Sequence, residues 1–243
     1  MTALYKKELS VFFSTIIGPL IISVFLLING LLLWSDVSQF NILENGYASM
    51  ETFFTLSPLI FLFLIPAISM RSVSDEYNAG TMETLITKPI STLHIITSKF
   101  LATLTLIIIS IIPTFLYPIT IYFIGESTGN LDAAGILGSY IGLLMLSSIF
   151  ASIGVFASSL NKNQIIAFIL AIIISGFFYL GFDLLSEIQL FQSFNIIIKK
   201  IGISYHYKIM SKGLLLVSDI VYFLSMTFLF LKFSEIIILN RRH

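Results

Sequence analysis

Six long apolar blocks dominate the pattern of hydrophobic and polar positions along this chain. Apolar residues fill each block, and a block of about 20 residues matches the roughly 30 Å hydrocarbon core of a bilayer when it is helical. The predicted spans are Thr15–Trp34, Thr52–Met70, Phe100–Ile124, Ala133–Ala157, Gln164–Asp183 and Gly213–Phe233. The pattern therefore predicts an all-α membrane protein with six transmembrane helices.

The first block follows two lysines, Lys6 and Lys7, as a secretory signal would. It is longer than the apolar region of a signal peptide and has no small-residue cleavage pattern, so we expect a retained span. Basic residues concentrate in the segments that would lie on the same side of the membrane as the amino terminus. The first two connecting segments on the opposite side have none. This distribution predicts that both termini are cytoplasmic.

The third outer segment, residues 184–212, departs from this charge rule. Its lysines are Lys199, Lys200, Lys208 and Lys212. Its apolar residues recur at roughly helical spacing, which favours a segment lying in the headgroup layer with its lysines near lipid phosphates. The alternative is a solvated loop.

Composition and charge narrow the function. Hydrophobic residues make up 57% of the 243 residues and charged residues 11%, well below the ~25% charged residues of soluble domains. With 13 basic and 13 acidic residues the net charge is zero, which argues against nucleic-acid binding. Cysteine is absent, which excludes disulfides and thiol chemistry on this chain. No repeat or linker divides the sequence, so residues 1–243 are predicted to form a single membrane domain.

The inner segment Arg71–Lys99 contains most of the turn and capping residues. Ser72, followed three residues later by Asp75, fits a capping box at the start of a helix. Gly80 can take the positive φ that interrupts a helix, so this first short helix should end near Ala79.

A second short helix is predicted over Thr81–Thr87, where Met82, Leu85 and Ile86 share one side. Pro89 ends it, because proline cannot continue the helical hydrogen bonds. Ser91 can then cap the third span, which would begin in the cytoplasm. A rigid helical hairpin of this kind can transmit a push from a cytoplasmic partner; the alternative is an interfacial turn resting on lipid headgroups.

Prolines and carboxylates complete the pattern within the spans. Two prolines interrupt the second predicted span and two divide the third, and we expect bends or changes of helical type there. These prolines are Pro58, Pro66, Pro113 and Pro118. Three acidic residues, Asp183, Glu187 and Asp219, lie at the outer ends of the last two spans, where we expect hydrated side chains.

One motif in the inner segment reads Glu76-x-x-x-Gly80-Thr81-x-Glu83-x-Leu85-x-x-x-Pro89, followed by Ile96 and Lys99. It resembles the cytoplasmic signature of type 2 ATP-binding-cassette (ABC-2) permeases. The amino-terminal run LYKKELSVFFST is similar to the amphipathic elbow helix that precedes the first span in that family.

The carboxy-terminal third resembles a narrower group, the permease subunit associated with gliding motility. The matching stretches are Ser204-Tyr205-His206-Tyr207, Lys212-Gly213 and the run SDIVYFLS at residues 218–225. Where that group commonly has a basic residue before the aspartate, this chain has Ser218. That departure leaves an ion pair of Asp219 in doubt.

The resemblance implies a permease subunit of an ATP-driven exporter in the bacterial inner membrane, coupled to a separate ATPase subunit that binds ATP and magnesium. This chain has no phosphate-binding G-x-x-x-x-G-K-[ST] loop of its own, so we expect a non-catalytic subunit. The implied coupling residues are Glu76, Gly80, Thr81, Met82, Glu83, Leu85 and Pro89.

A six-span chain would supply half of the pathway, so the resemblance also implies a dimer with a second copy or a related permease. Gly135, Gly138 and Gly142 on the fourth span allow close helix packing, either within the subunit or at a dimer contact. The apolar spans suit hydrophobic or lipid-linked substrates, and membrane lipids are expected neighbours.

Three other functions stay open at this stage. An ion-gradient-driven secondary transporter would place ionisable groups or broken helices at the bilayer midplane, and no such pair stands out. An assembly factor that recruits an ATPase without transporting could use the same hairpin. An intramembrane enzyme is disfavoured, because His94, His206 and His243 lie outside or at the edge of the spans without metal-site spacing, and no metal cofactor is expected.

Overall fold

The computed structural model describes residues 2–35, 40–42, 49–124 and 131–241, and these ranges contain helices and connecting turns but no strand. Six of its helical segments are long and apolar enough to cross a membrane. They are Ile17–Trp34, Glu51–Asn78, Thr92–Ile124, Ala133–Leu160, Gln164–Glu187 and Val217–Asn240. The predicted all-α class and the six spans are confirmed, with the second and third spans longer than predicted.

The α-helices in the amino-terminal half are α1 (Thr2–Ser14), α2 (Ile17–Trp34), α3 (Glu51–Ser69), α4 (Arg71–Asn78), α5 (Thr81–Ile86), α6 (Thr92–Ile111) and α7 (Leu116–Ile124). Those that follow are α8 (Ala133–Leu160), α9 (Gln164–Gly176), α10 (Phe182–Glu187), α11 (Asn195–Ile201), α12 (Ile203–Met210) and α13 (Val217–Asn240). Helix α1 precedes the first span, α4 and α5 lie between the second and third, and α11 and α12 lie between the fifth and sixth.

Helix α8 is the centre of the bundle. Across its most apolar stretch 78% of the residues are buried, compared with 28% in α2, 22% in the span formed by α9 and α10, and 28% in α13. Helices α3, α6, α9 and α13 all pack against α8. The peripheral spans therefore leave large apolar faces for lipid or another chain, as expected for a membrane bundle.

Small residues let other segments approach α8 closely. A Cβ added to Gly138 would lie 2.7 Å from the carbonyl oxygen of Gly213, and one added to Gly142 would lie 2.7 Å from the Cβ of Met210. Gly135 is in the same contact, against Gly213. The three glycines therefore pack against α12 and the turn after it. This is the first of the two predicted alternatives, close packing within the subunit.

Two departures from regular α-helix occur within the spans. Around Pro113 the chain forms a 3₁₀ turn, Ile112–Phe115, which separates α6 from α7 as the proline predicts. A π-helical turn, Phe177–Gly181, separates α9 from α10 although no proline lies there. Pro58 and Pro66 lie inside α3, which stays α-helical throughout. A change of helical type at these two prolines is therefore not observed.

The packing at Gly154 of α8 gives a test of the bundle. A Cβ at this position would lie 2.6 Å from the Cβ of Ser69 on α3, so Gly154→Val should force the helices apart and cost about 1–3 kcal/mol. The detergent-purified variant would be heated and then analysed by size exclusion. We expect its monodisperse fraction to fall with a lower midpoint temperature than that of the unsubstituted protein. Gly30→Val is the matched control, because no atom lies within 4 Å of an added Cβ there. Equal midpoints for the two variants would contradict this packing.

Candidate functional site

The hairpin between the second and third spans begins without the predicted capping box. Helix α4 follows α3 directly at Met70, and the Ser72 hydroxyl donates to the Ser69 carbonyl at 2.7 Å instead of capping a new helix. Ser72 sits inside a continuing helix, so its hydroxyl bonds back to the preceding turn as serines within helices do. The predicted capping box is therefore wrong.

A serine from α8 supports the bend between α3 and α4. The Ser158 hydroxyl oxygen accepts hydrogen bonds from the backbone amides of Val73 and Ser74, both at 3.0 Å, and donates to the Met70 carbonyl at 2.8 Å. The Met70 carbonyl also accepts from the Ser74 hydroxyl. One buried side chain of α8 thus holds the junction of α3 and α4 by three hydrogen bonds.

The turn residues of the hairpin act as predicted. Gly80 has φ +67° and separates α4 from α5, and an L side chain there would be strained. Ser91 caps α6, with its hydroxyl accepting from the His94 amide at 3.3 Å. The positive φ and the cap are confirmed, and the third span begins well before Phe100, at Thr92.

The predicted coupling residues fall into two groups. Gly80, Thr81, Glu83 and Pro89 are exposed, and Leu85 is half-buried. Glu76 and Met82 are buried, with Met82 only 1% exposed in the core cluster. The sequence predicts that Glu76, like Glu83, bonds to a basic residue of a partner and that Met82 anchors with Leu85 in an apolar groove of that partner. The Glu76 and Met82 side chains instead lie inside this chain, because Met82 is the inward member of the apolar side of α5 and Glu76 is paired internally.

Four charged side chains form a cluster beneath the hairpin. The Lys99 Nζ lies 3.0 Å from Glu8 Oε1 and 2.9 Å from Glu76 Oε2, while Lys7 Nζ lies 3.1 Å from Glu76 Oε1. Lys7 is also 3.8 Å from Glu8. We call Lys7, Glu8, Glu76 and Lys99 the inner charge cluster. It joins α1, α4 and α6, three elements that are far apart in the sequence.

Because the inner charge cluster is largely buried, Lys99 needs the carboxylates around it. The Lys99 side chain is 1% exposed, and a buried cation is stable only when opposite charges and hydrogen bonds surround it. Two lysines and two glutamates give the cluster a formal charge of zero. A movement of α4 that did not carry Lys99 with it would therefore break a buried ion pair.

A cleft of about 630 Å³ opens beside the exposed edge of the hairpin. It lies between α5, the turn after α8 and the end of α13. Its lining includes Glu83, Ile86, Leu160, Lys162, Ile238 and Arg241. Arg241 lies over the Tyr77 ring, 5.0 Å from its centroid, and donates to the Leu160 carbonyl, so the last span is tied to α4. The cleft therefore has a charged rim and an apolar floor.

The end of the bundle opposite the hairpin, here called the outer end, holds two polar links whose partners could not be predicted from the sequence. Asp183 accepts from Ser204 and from Lys208, both at 2.8 Å. Asp219 is 2% exposed and lies 2.7 Å from the Nδ1 of His206. The prediction of a hydrated Asp219 is wrong, because α12 folds back over the start of α13. Ser218 is not needed for this pair, since the basic group comes from 13 residues upstream.

Helix α11 and the remaining candidate ligands complete the outer end and the carboxy terminus. Helix α11 exposes apolar side chains together with Lys200, as an interfacial helix would, and its position in the headgroup layer remains a prediction. His243 lies beyond the described residues. Within the ranges that the structure describes, no group of three or more His, Asp or Glu side chains could hold a metal ion.

A comparison with protein families identifies the family to which this chain is similar. A protein-family profile described as "ABC-2 family transporter protein" matches residues 7–237, which runs from the inner charge cluster in α1 to the end of the last span. No curated protein matches the chain.

Removal of the buried cation tests the inner charge cluster. Lys99→Met should destabilise the protein by about 3–5 kcal/mol, because Glu8 and Glu76 would share a buried site with only Lys7. The measurement is again the heating midpoint in detergent. Lys232→Met is the control, since its pair with Glu235 is partly exposed and worth less than about 1 kcal/mol.

A second variant separates charge imbalance from lost packing. Lys99→Met combined with Glu8→Gln leaves one cation and one anion, and it should recover most of the lost stability if charge balance is the cause. A double variant no more stable than Lys99→Met alone, or a Lys99→Met midpoint equal to that of the Lys232 control, would contradict the role of the cluster.

Proposed function

Because this chain belongs to the ABC-2 family of transporter proteins, we propose that it is the permease subunit of an ATP-driven exporter. It is a multi-pass membrane protein, and its family is a membrane transport component that typically works with an ATPase subunit. The finer proposal is that it lies in the bacterial inner membrane with both termini in the cytoplasm. ATP and magnesium would bind to the partner and not to this chain.

The observation that carries the proposal is the inner charge cluster. Glu76 is part of α4 in the hairpin, Glu8 is part of α1, and Lys99 is part of the third span. A push on the hairpin by an ATPase would reach the elbow helix and the third span through these ion pairs. Ser158 provides a parallel connection from the hairpin to the central helix α8.

The docking face of the ATPase is proposed to be the exposed side of the hairpin. Gly80, Thr81 and Glu83 are exposed there and adjoin the cleft beside α5. Glu83 offers a carboxylate for a charge-assisted hydrogen bond to a basic partner residue, and half-buried Leu85 offers an apolar contact. Glu76 and Met82 act from inside, by holding α4 and α5 in position.

The complete pathway is proposed to need a second permease. The sparsely buried faces of α2, α9 and α13 leave room for another copy of this chain or a related subunit. The glycines of α8 are already occupied within this chain by the turn at Gly213. They support the outer end of the bundle, and we propose that the dimer contact lies on a peripheral span.

The substrate is proposed to be hydrophobic or lipid-linked, because the spans expose mainly apolar side chains. A link to gliding motility rests on the resemblance of the stretches between Ser204 and Ser225, and it is part of this proposal only.

A reconstitution experiment tests the proposal. The chain would be purified in mild detergent together with its ATPase, identified by a phosphate-binding loop and by ATP hydrolysis, and both would be placed in sealed vesicles. We expect stoichiometric recovery of the ATPase and transport of a fluorescent lipid-linked probe that depends on ATP. Transport by the chain alone under an ion gradient would favour a secondary transporter, and recovery of the ATPase without transport would favour an assembly factor.

Glu83→Lys tests the docking face. Reversal of this exposed charge should leave folding intact but reduce ATPase recovery and ATP-dependent transport about tenfold or more, as expected when a charged hydrogen bond is replaced by repulsion. Glu187→Lys is the matched control, an equally exposed glutamate at the opposite end of the molecule. Normal coupling in Glu83→Lys would refute this face, while a loss in both variants would indicate an unspecific charge effect.

A further inference from the structure

His206 connects three helices at the outer end of the bundle. Its Nδ1 lies 2.7 Å from Asp219 Oδ1 at the start of α13, and its Nε2 lies 2.9 Å from the Lys200 carbonyl oxygen at the end of α11. The imidazole stacks on Tyr222, with 4.0 Å between ring centroids and an interplanar angle of 22°. The ring is therefore held in one orientation, with both nitrogens engaged.

Asp219 depends on this histidine. It is 2% exposed, and its second oxygen, Oδ2, is buried with no hydrogen-bond partner among the described residues. His206 Nδ1 is the hydrogen-bond partner that the structure gives its carboxylate. A buried carboxylate with one partner is sensitive to whether that partner can donate.

The two contacts together fix the number of protons. A backbone carbonyl only accepts, so the Nε2 that faces Lys200 must carry a hydrogen. A neutral imidazole has one N–H, and its Nδ1 would then turn a lone pair toward the Asp219 carboxylate. Both contacts are satisfied only when the pair holds one proton in addition to the hydrogen on Nε2. This additional proton lies either on His206 Nδ1 or on Asp219.

We propose that His206 and Asp219 form a proton-binding site, here called the outer latch, that fastens α12 over the outer cavity. That cavity, of about 640 Å³, lies between α3, α8 and α12. Helix α12 and the residues after it contribute Tyr207, Lys208, Ser211 and Lys212 to its lining. Without the additional proton, neutral His206 keeps its bond to α11 or its bond to α13, but not both.

The neighbouring links of α12 do not titrate in the same way. The Tyr207 hydroxyl donates to the Phe54 carbonyl at 2.6 Å, and burial, with a smaller contribution from Tyr179, raises the pKa of Tyr207 well above its ordinary value. Lys208 pairs with Asp183 of α10. Neither link contains a histidine, so the outer latch is the part of the attachment that we propose to depend on pH.

Few other charges face the outer latch. The titratable or charged side chains on the elements packed against it are Lys199 and Lys200 of α11, Tyr205, Tyr207 and Lys208 of α12, Tyr179 of the π-helical turn, and Tyr222, Lys232 and Glu235 of α13. Helix α8 contributes Tyr140 and carries no charged residue. The latched state binds the additional proton, so it is fully present at low pH and is lost as the pH rises.

Histidine nuclear magnetic resonance tests the proton directly. Full-length protein labelled with ¹⁵N-histidine would be studied in detergent micelles, with the His206 signals identified by their absence in His206→Gln. We expect the imidazole nitrogen shifts of His206 to change between about pH 5 and about pH 9 as the additional proton leaves. Shifts that stay constant over this range would overturn the proposal.

Thiol labelling tests the latch. The chain has no cysteine, so Ser211→Cys gives a single thiol in the cavity, and Ser193→Cys gives an exposed reference. The ratio of their maleimide labelling rates removes the general effect of pH on thiols. We expect this ratio to rise about fivefold as the pH is raised, the factor expected for one lost hydrogen bond. A ratio independent of pH would overturn the latch.

Two substitutions of the pair and one control make the test specific. Asp219→Asn can donate to neutral His206 Nδ1 while Nε2 still donates to Lys200, so labelling should stay slow at every pH. His206→Gln loses one link, and labelling should stay fast at every pH. Asp183→Asn removes a nearby carboxylate outside the latch and should keep the pH response. If Asp219→Asn kept that response too, the proposal would fail; size exclusion would verify folding of each variant.

Discussion

The hydrocarbon core of a bilayer offers no hydrogen-bond partner, so each polar group that this chain places among its apolar helices needs a partner within the chain. Most hydroxyls in the spans meet this requirement locally: Ser147 donates to the Leu143 carbonyl and Thr227 to the Phe223 carbonyl, each one turn back. The Ser57 and Ser175 hydroxyls are buried in the spans without a hydrogen-bond partner among the described residues. Other polar groups join different helices. Ser158 serves the bend between α3 and α4, and Lys99 joins three elements by ion pairs. These long-range polar contacts mark the places where the bundle is mechanically connected.

Helix α8 links the two ends of the molecule. At its inner end Ser158 supports the hairpin, and at its outer end the Ser139 hydroxyl lies 2.8 Å from the Ser211 carbonyl, in the turn after α12. Close contacts at Gly154 and Gly138 leave little free space on either side. Because a packed interior responds to a displacement as a unit, α8 is the physical route by which a movement of the hairpin would reach the outer cavity.

Local features of this fold could be predicted from the sequence, and contacts between distant residues could not. The six apolar blocks predicted the spans, and Gly80 and Ser91 predicted the turn and the cap of the hairpin, because each depends on neighbouring residues. The capping box at Ser72 was wrong, since Ser158, 86 residues away, stabilises the bend that a cap would have explained. The motif identified Glu76 and Lys99 without indicating that they pair with each other and with α1. The resemblance included His206 without indicating its partners, because they depend on how α12 folds back onto α13.

The two ends of the bundle differ in the kind of charge that holds them together. The inner charge cluster contains lysines and glutamates, and its attraction depends on where α1, α4 and α6 place them. The outer latch contains a histidine, the side chain whose charge ordinarily changes near neutral pH. A force applied at the inner end would therefore pass through ion pairs at fixed positions, whereas the resistance that we propose at the outer end depends on a bound proton. If both proposals hold, the bundle is driven from one end and regulated from the other.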